Sequence, residues 1–206
     1  MRLRTWVSAG VVLLLAASGV ATAEETKETK KAAAGKDLDP QAMMAAYEKA
    51  GEPTEQHKLL QRSVGKWTIT IKSWMDPNQP PMESKGTAEG RALLGGRFVQ
   101  QDVVCDMMGK PFSGVSVNGY DRGKKKFVGT WIDSMSTGVM RSEGTTDASG
   151  NTMTVQAVST DPMTGKDSKL RIVGTWEGND KLVEEFFEKK KGKEKKTMEI
   201  TYLRAK

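Results

Sequence analysis

From Lys66 the chain sets Trp67, Ile69 and Ile71 in alternation with Thr68, Thr70 and Lys72, the period of a strand with one wet face. β-Branched and aromatic residues then recur between turn signals to the end of the sequence. The breaks fall at Asp76-Pro77-Asn78, Leu94-Gly95-Gly96, Met108-Gly109-Lys110, Asp121-Arg122-Gly123, Ser149-Gly150-Asn151, Gly178-Asn179-Asp180 and Lys191-Gly192-Lys193. They delimit about ten strands, near 67–74, 83–93, 97–107, 111–121, 126–133, 138–146, 152–160, 168–176, 181–189 and 195–204. No segment between them is long and apolar enough for a crossover helix. The expected fold is therefore mainly β: a single antiparallel up-and-down barrel whose closure removes exposed edges, with one or two short N-terminal helices. A two-sheet sandwich is the alternative.

The strand at 97–107 bears on the interior. One face would carry Phe98, Gln100, Asp102, Val104 and Asp106, the other Arg97, Val99, Gln101, Val103 and Cys105. A solid core does not take unpaired polar groups at that density. A barrel with a hydrated cavity does, as does a strand that twists from core to solvent.

Ahead of the strands the chain changes character. Arg2 and Arg4 precede an apolar run from Trp6 to Ala17, and Ala21-Thr22-Ala23 supplies small residues for cleavage. Residues 1–23 are expected to be a signal peptide removed after Ala23, because a retained anchor needs about 20 apolar residues and this run is shorter. The mature protein would then lie in a periplasm or the medium and keep no transmembrane segment. Residues 24–38 are polar and lack aromatics, which suits a disordered linker. Asp39-Pro40 opens a helical lead-in over 39–63, with short helices at Gln41–Ala50 and Pro53–Arg62, and the barrel domain takes 64–206.

The formal charge is +6, and much of it sits in two clusters, Arg122–Lys126 and Lys189–Lys196. Each surrounds a glycine, as a solvated turn would; a weak contact with an anionic envelope surface is the sharper reading. Nucleic acid is not an expected partner, given export and the lack of a binding motif.

Gly-x-Trp occurs at Gly65-Lys66-Trp67, Gly129-Thr130-Trp131 and Gly174-Thr175-Trp176. A short helix running into the first of these is similar to the opening of lipocalins. In that superfamily the tryptophan closes one barrel end and a basic residue of the last strand packs across it. The resemblance implies a closure made here by Trp67 and Arg204, a cation–π contact. From His57 to Arg204 the chain also resembles the bacterial family called domain of unknown function 1579, which is grouped with the calycins. The strings that carry this are Val64-Gly65-Lys66-Trp67, Leu94-Gly95-Gly96-Arg97-Phe98, Phe112-Ser113-Gly114, Gly119-Tyr120-Asp121, Thr130-Trp131-Ile132-Asp133-Ser134, Asp161-Pro162-Met163-Thr164-Gly165 and Glu199-Ile200-Thr201-Tyr202. The resemblance implies a calycin-like barrel and no established reaction.

Reactive chemistry is sparse. His57 is the sole histidine, so one chain can build neither a histidine cluster nor a Ser-His-Asp triad. Its expected place is a helix surface. Cys105, the sole cysteine, is expected as a small buried filler, and the methionines as adaptable core residues, since no Met-x-x-Met series suggests copper. No metal, cofactor or catalytic residue is assigned. Asp121 suits a turn cap, and Asp133 either a buried ion pair with an arginine or a polar anchor. The candidate ligand site is a cavity lined by Arg97, Tyr120, Trp131 and Asp133, holding a small apolar or amphipathic molecule. The leading functional expectation is an exported small-molecule-binding barrel of unknown ligand. An envelope-associated interaction protein is the alternative, and an enzyme using Asp133 or Asp121 as general base ranks last.

Overall fold

Burial along β1 (Gly65–Ser73) follows the alternation of its residues: Trp67, Ile69 and Ile71 are buried while Lys66 and Thr68 face water. The computed structural model describes residues 39–206 apart from Pro77, Pro162 and Lys191; the expected signal peptide and the linker 24–38 lie outside them. The chain divides into units 1–40 and 41–206, and the second holds every strand among the described residues.

Nine further strands follow β1: β2 (Met82–Leu93), β3 (Phe98–Met107), β4 (Lys110–Asp121), β5 (Lys126–Asp133), β6 (Met140–Thr146), β7 (Thr152–Thr160), β8 (Asp167–Glu177), β9 (Lys181–Lys190) and β10 (Lys193–Arg204). Each pairs antiparallel with its sequence neighbours, and β1 pairs with β10 to close the barrel. The fold is thus the expected closed meander and not a sandwich. Two helices precede it, α1 (Pro40–Ala50) and α2 (Glu55–Gln61). The second starts later and is shorter than its sequence suggests.

Closure fixes which side chains face inward. Trp67 stands opposite Arg204 on β10 and Ala88 on β2, and Ala88 opposite Val103 on β3. Trp67, Ile69, Ile71, Ala88, Val103, Cys105, Ile200 and Tyr202 form one buried cluster along this wall. Burying each larger aliphatic there contributes roughly 1.5–3 kcal/mol. On β3 the inward set is Val99, Gln101, Val103 and Cys105. The opposite face carries Gln100 and Asp102, joined by a hydrogen bond, with Asp102 also paired to Arg91. The mixed polarity of this strand therefore comes from an outer polar network, and only Gln101 brings an amide inside.

Because successive connections alternate between ends, the barrel has two distinct rims. One is formed by the start of β1 and the β2–β3, β4–β5, β6–β7 and β8–β9 turns. The other gathers the β1–β2, β3–β4, β5–β6, β7–β8 and β9–β10 connections.

Candidate functional site

The first rim is plugged. Leu60 of α2 is buried with Val99 and Phe127, against partly buried Leu59, Val64, Tyr120 and Met153. Beyond α2, Arg62 lies over the Trp176 ring, 4.5 Å from its centre, and donates to the Gly178 carbonyl at 2.8 Å. Trp176 meets Trp67 edge-on at 5.9 Å, and the Arg204 guanidinium covers Trp67 at 4.1 Å. Arg204 also donates to the carbonyls of Val64 and Arg62, at 2.8 and 2.9 Å, and to Asp180 Oδ1 at 2.9 Å. Trp67 Nε1 donates to the Ser63 carbonyl at 3.0 Å. Gly65 has a φ of +116°, and a Cβ there would press on the Arg204 guanidinium, so the glycine of the first Gly-x-Trp makes room for the cation.

The same rim takes three residues expected elsewhere. Arg97 precedes β3, and its guanidinium donates to the carbonyls of Gly51 (2.7 Å) and Leu94 (2.9 Å); it does not line the lumen. Arg122 leaves its basic cluster to cap the end of α1, donating to the carbonyls of Lys49, Ala50 and Glu52. His57 is buried and not at a surface: Nδ1 accepts from the Thr54 backbone N–H at 2.8 Å, and the ring meets Tyr120 edge-on at 5.8 Å. Burial, with Arg122 and Arg97 nearby, holds its pKa below the ordinary histidine value. Tyr120 points inward, but under α2, packed on Phe127 as well. An open cleft of about 520 Å³ runs outside the barrel between Thr54, His57 and Gln61 on one side and Ala92, Gly95 and Gly96 on the other.

The second rim is different. Trp131 and Asp133 lie two residues apart on β5, and Asp133 Oδ2 accepts from Trp131 Nε1 at 2.8 Å. Oδ1 accepts from the Met135 backbone at 2.9 Å. Asp133 therefore holds the indole and the following turn and makes no ion pair among the described residues. The Trp131 ring lies over Gly114, where any Cβ would collide with it, and stacks near Phe112 at an interplanar angle of 21°. A shallow recess of about 160 Å³ opens beside them, between Gly114, Asp133 and Ser134. Of the four expected ligand residues, the structure brings Trp131 and Asp133 together here and leaves Tyr120 and Arg97 at the opposite end.

Between the rims the lumen is asymmetric. Inward residues of β1 and β3 are buried apart from Gln101. On β5–β10 Phe127, Ala157, Ile172, Leu182, Ile200 and Tyr202 are buried as well, but Trp131, Met140, Ser142, Val155, Leu170, Phe186 and Met198 are only half-buried. Among them stands Glu184 of β9, opposite Gly174 of β8 and Ile200 of β10. Tyr202 Oη donates to Glu184 Oε2 at 3.0 Å, and no cation pairs with this carboxyl among the described residues. Burial raises the pKa of both groups, for Glu184 against the opposing effect of the tyrosine hydrogen bond. Sequence reasoning passed over Glu184. Its signal was its phase: it alternates with Leu182 and Phe186, so it had to share their inward face. Among the described residues no group of His, Cys, Asp and Glu side chains is placed to hold a metal.

Residues 52–204 match the family described as Protein of unknown function (DUF1579). The chain belongs to that family. This DUF1579 member matches no curated protein. Its fold is similar to the crystal structure of Rv2717c from M. tuberculosis, with a TM-score of 0.57 and 15% identity over 75% of this chain and 100% of that one. A redesigned β-barrel gives a TM-score of 0.38 at 14% identity, covering 73% of this chain and 96% of that one.

Proposed function

We propose that this DUF1579 member is an exported carrier that holds a small, partly apolar molecule in the half of the lumen bounded by β5–β10. The observation that carries this reading is the half-burial of Trp131, Met140, Val155, Leu170, Phe186 and Met198 among the inward residues of those strands, beside the packed wall of β1 and β3. A closed barrel without a guest role has no reason to leave Trp131, Leu170 and Phe186 short of full burial, since each loses dispersion contacts and hydrophobic stabilisation. Largely apolar walls with a few hydrogen-bonding groups, the pair Glu184–Tyr202 and, on β4, Ser116 with Asn118, suit a molecule with an apolar body and a small polar part. Trp131, held by Asp133, forms the wall nearest the second rim. Arg97 and Tyr120 have no part in it.

The test is native mass spectrometry of protein purified from its own host, beside a Gly174→Val variant. A Cβ at Gly174 would touch Leu182 Cδ1 at 3.7 Å and Glu184 Cγ at 3.8 Å, ordinary contacts, so the added methyls of valine enter the lumen beside the polar pair. The expected result is a co-purifying small molecule in the wild type and its loss in a folded Gly174→Val protein. An empty wild type that also fails to take up an apolar fluorescent dye would end the carrier reading.

A further inference from the structure

The methionines divide into two groups. Met153 and Met198 pack on the core as expected, but Met75, Met82, Met108, Met135 and Met163 are 82, 43, 68, 65 and 91% exposed. All five lie on the second rim. Met75 and Met82 belong to the β1–β2 connection and its exit, Met108 to the β3–β4 turn, Met135 to the β5–β6 connection and Met163 to the β7–β8 connection. The fifth connection of that rim, β9–β10, carries Lys190, Lys191 and Lys193 instead. Residues 74–82, 107–110, 134–139, 161–166 and 190–193 together hold five lysines and two aspartates. Lys110, Lys166 and Lys193 are exposed and make no ion pair among the described residues. Asp76 and Asp161 turn back to accept from their own loops, at Asn78 and Met163. The plugged rim has the reverse character, with no methionine in its turns and its Arg97 and Arg122 engaged by carbonyls.

We propose that the methionine rim docks the barrel, mouth first, on an anionic lipid bilayer. Four hairpin tips each present a flexible, apolar thioether that is largely exposed, and a fifth presents the exposed ammonium group of Lys193. Exposed apolar groups in this number mark a contact surface, and methionine adapts to irregular apolar surroundings. Set around one end of the barrel, the tips form a ring. A broad fluid surface meets every point of such a ring, and the net positive charge selects an anionic one. The inference is independent of the lumen's content, although a mouth on the bilayer would face whatever the lumen carries towards lipid.

The test maps peroxide oxidation of each methionine in the full chain, with vesicles of phosphatidylcholine alone or with phosphatidylglycerol added. Met43 and Met44 on α1 are also exposed and serve as internal controls, so tethering through the N-terminal segment is separable from docking of the rim. The expected result is several-fold slower oxidation of Met75, Met108, Met135 and Met163 with the anionic vesicles only, while Met43 and Met44 react as before. Added salt should weaken this protection, and Lys110→Gln with Lys166→Gln and Lys193→Gln should lower vesicle affinity more than about tenfold. Lys124→Gln with Lys125→Gln, on the plugged rim, should leave it unchanged. Equal oxidation rates with and without vesicles would overturn the proposal. So would protection that appears without lipid as protein concentration rises, which would make the rim a contact between copies of the chain.

Discussion

The two rims of this barrel are built from the same kinds of turn, yet they treat cations and apolar groups in opposite ways. At the plugged rim Arg62 and Arg204 cover the faces of Trp176 and Trp67, and carbonyls take their N–H groups. Both guanidinium groups are set against a ring and an acceptor, and Trp67 beneath Arg204 is buried. At the second rim Lys110, Lys166 and Lys193 reach into water and Met75, Met108, Met135 and Met163 are largely exposed. Guanidinium suits the first role because it is planar, weakly hydrated and able to donate along several directions at once. Lysine suits the second, as a hydrated point charge on a mobile stem. Stability is thus concentrated at one end, and the other is free to make contacts outside the molecule.

That division predicts where substitution hurts. Trp67→Ala should cost about 3–5 kcal/mol in urea unfolding, the range for emptying a large buried aromatic site. Arg204→Ala should cost about 1–3 kcal/mol, since its side chain is partly exposed but its loss leaves several carbonyls short of a donor. Arg204→Lys should recover little of it, because an ammonium cannot both stack and reach those carbonyls. A double-mutant cycle between Trp67→Leu and Arg204→Ala should show coupling of at least about 0.5 kcal/mol. Additive losses would mean that the stacking seen between the two rings of charge and carbon contributes nothing of its own.

Two titrating groups sharpen the contrast, because they move stability in opposite directions with pH. His57, at the plugged end, has a lowered pKa. The unfolded chain then binds the proton first, so stability is complete above about pH 6.5 and falls as pH drops below it. The slope should not exceed one proton's worth, about 1.4 kcal/mol per pH unit, and His57→Gln should flatten it. Glu184, in the lumen, has a raised pKa. The native state keeps its proton where the unfolded chain has lost it, so this contribution is complete at acid pH and disappears as pH rises through the native value. Glu184→Gln keeps a neutral acceptor for Tyr202 and should be more stable than wild type above neutrality, by about 1 kcal/mol. Urea midpoints from pH 5 to 9 for both variants check the pair. A Glu184→Gln curve parallel to wild type would show that lumenal water already solvates the carboxylate.

The sequence made much of the first rim legible and little of the second. Ten strands joined by short turns can close only by pairing the first with the last, and Trp67 and Arg204 occupy matching positions in those two strands. Arg97 could not be placed, because alternation assigns faces only within a strand. It precedes β3, after a turn whose Gly95 and Gly96 have φ of +67° and +84° and reset the chain direction. His57 was readable in retrospect: it stands three residues before Leu60, on the face of α2 that packs inward. Residue type placed Met153 and Met198 correctly on the core but misjudged the exposed methionines. Met75, Met108 and Met163 each adjoin a turn signal, Asp76-Pro77, Gly109-Lys110 and Thr164-Gly165, and position should have outweighed hydrophobicity.

The smallest expected effect is the most direct statement of the difference between the rims. Met75→Gln, Met108→Gln, Met135→Gln and Met163→Gln should each change folding stability by no more than about 0.5 kcal/mol, the usual range for surface sites. Each thioether is more than half exposed, so little apolar area returns to water when it is replaced. The same change in a core would bury an unsatisfied amide and cost several times as much. Combining the four is the stringent form, since they sit in separate connections and their effects should add. The combined variant should therefore keep a thermal midpoint within a few degrees of wild type while its surface becomes less apolar. A cooperative loss much larger than the sum would show that the tips pack on one another across the mouth, and the second rim would then be a lid and not a free ring.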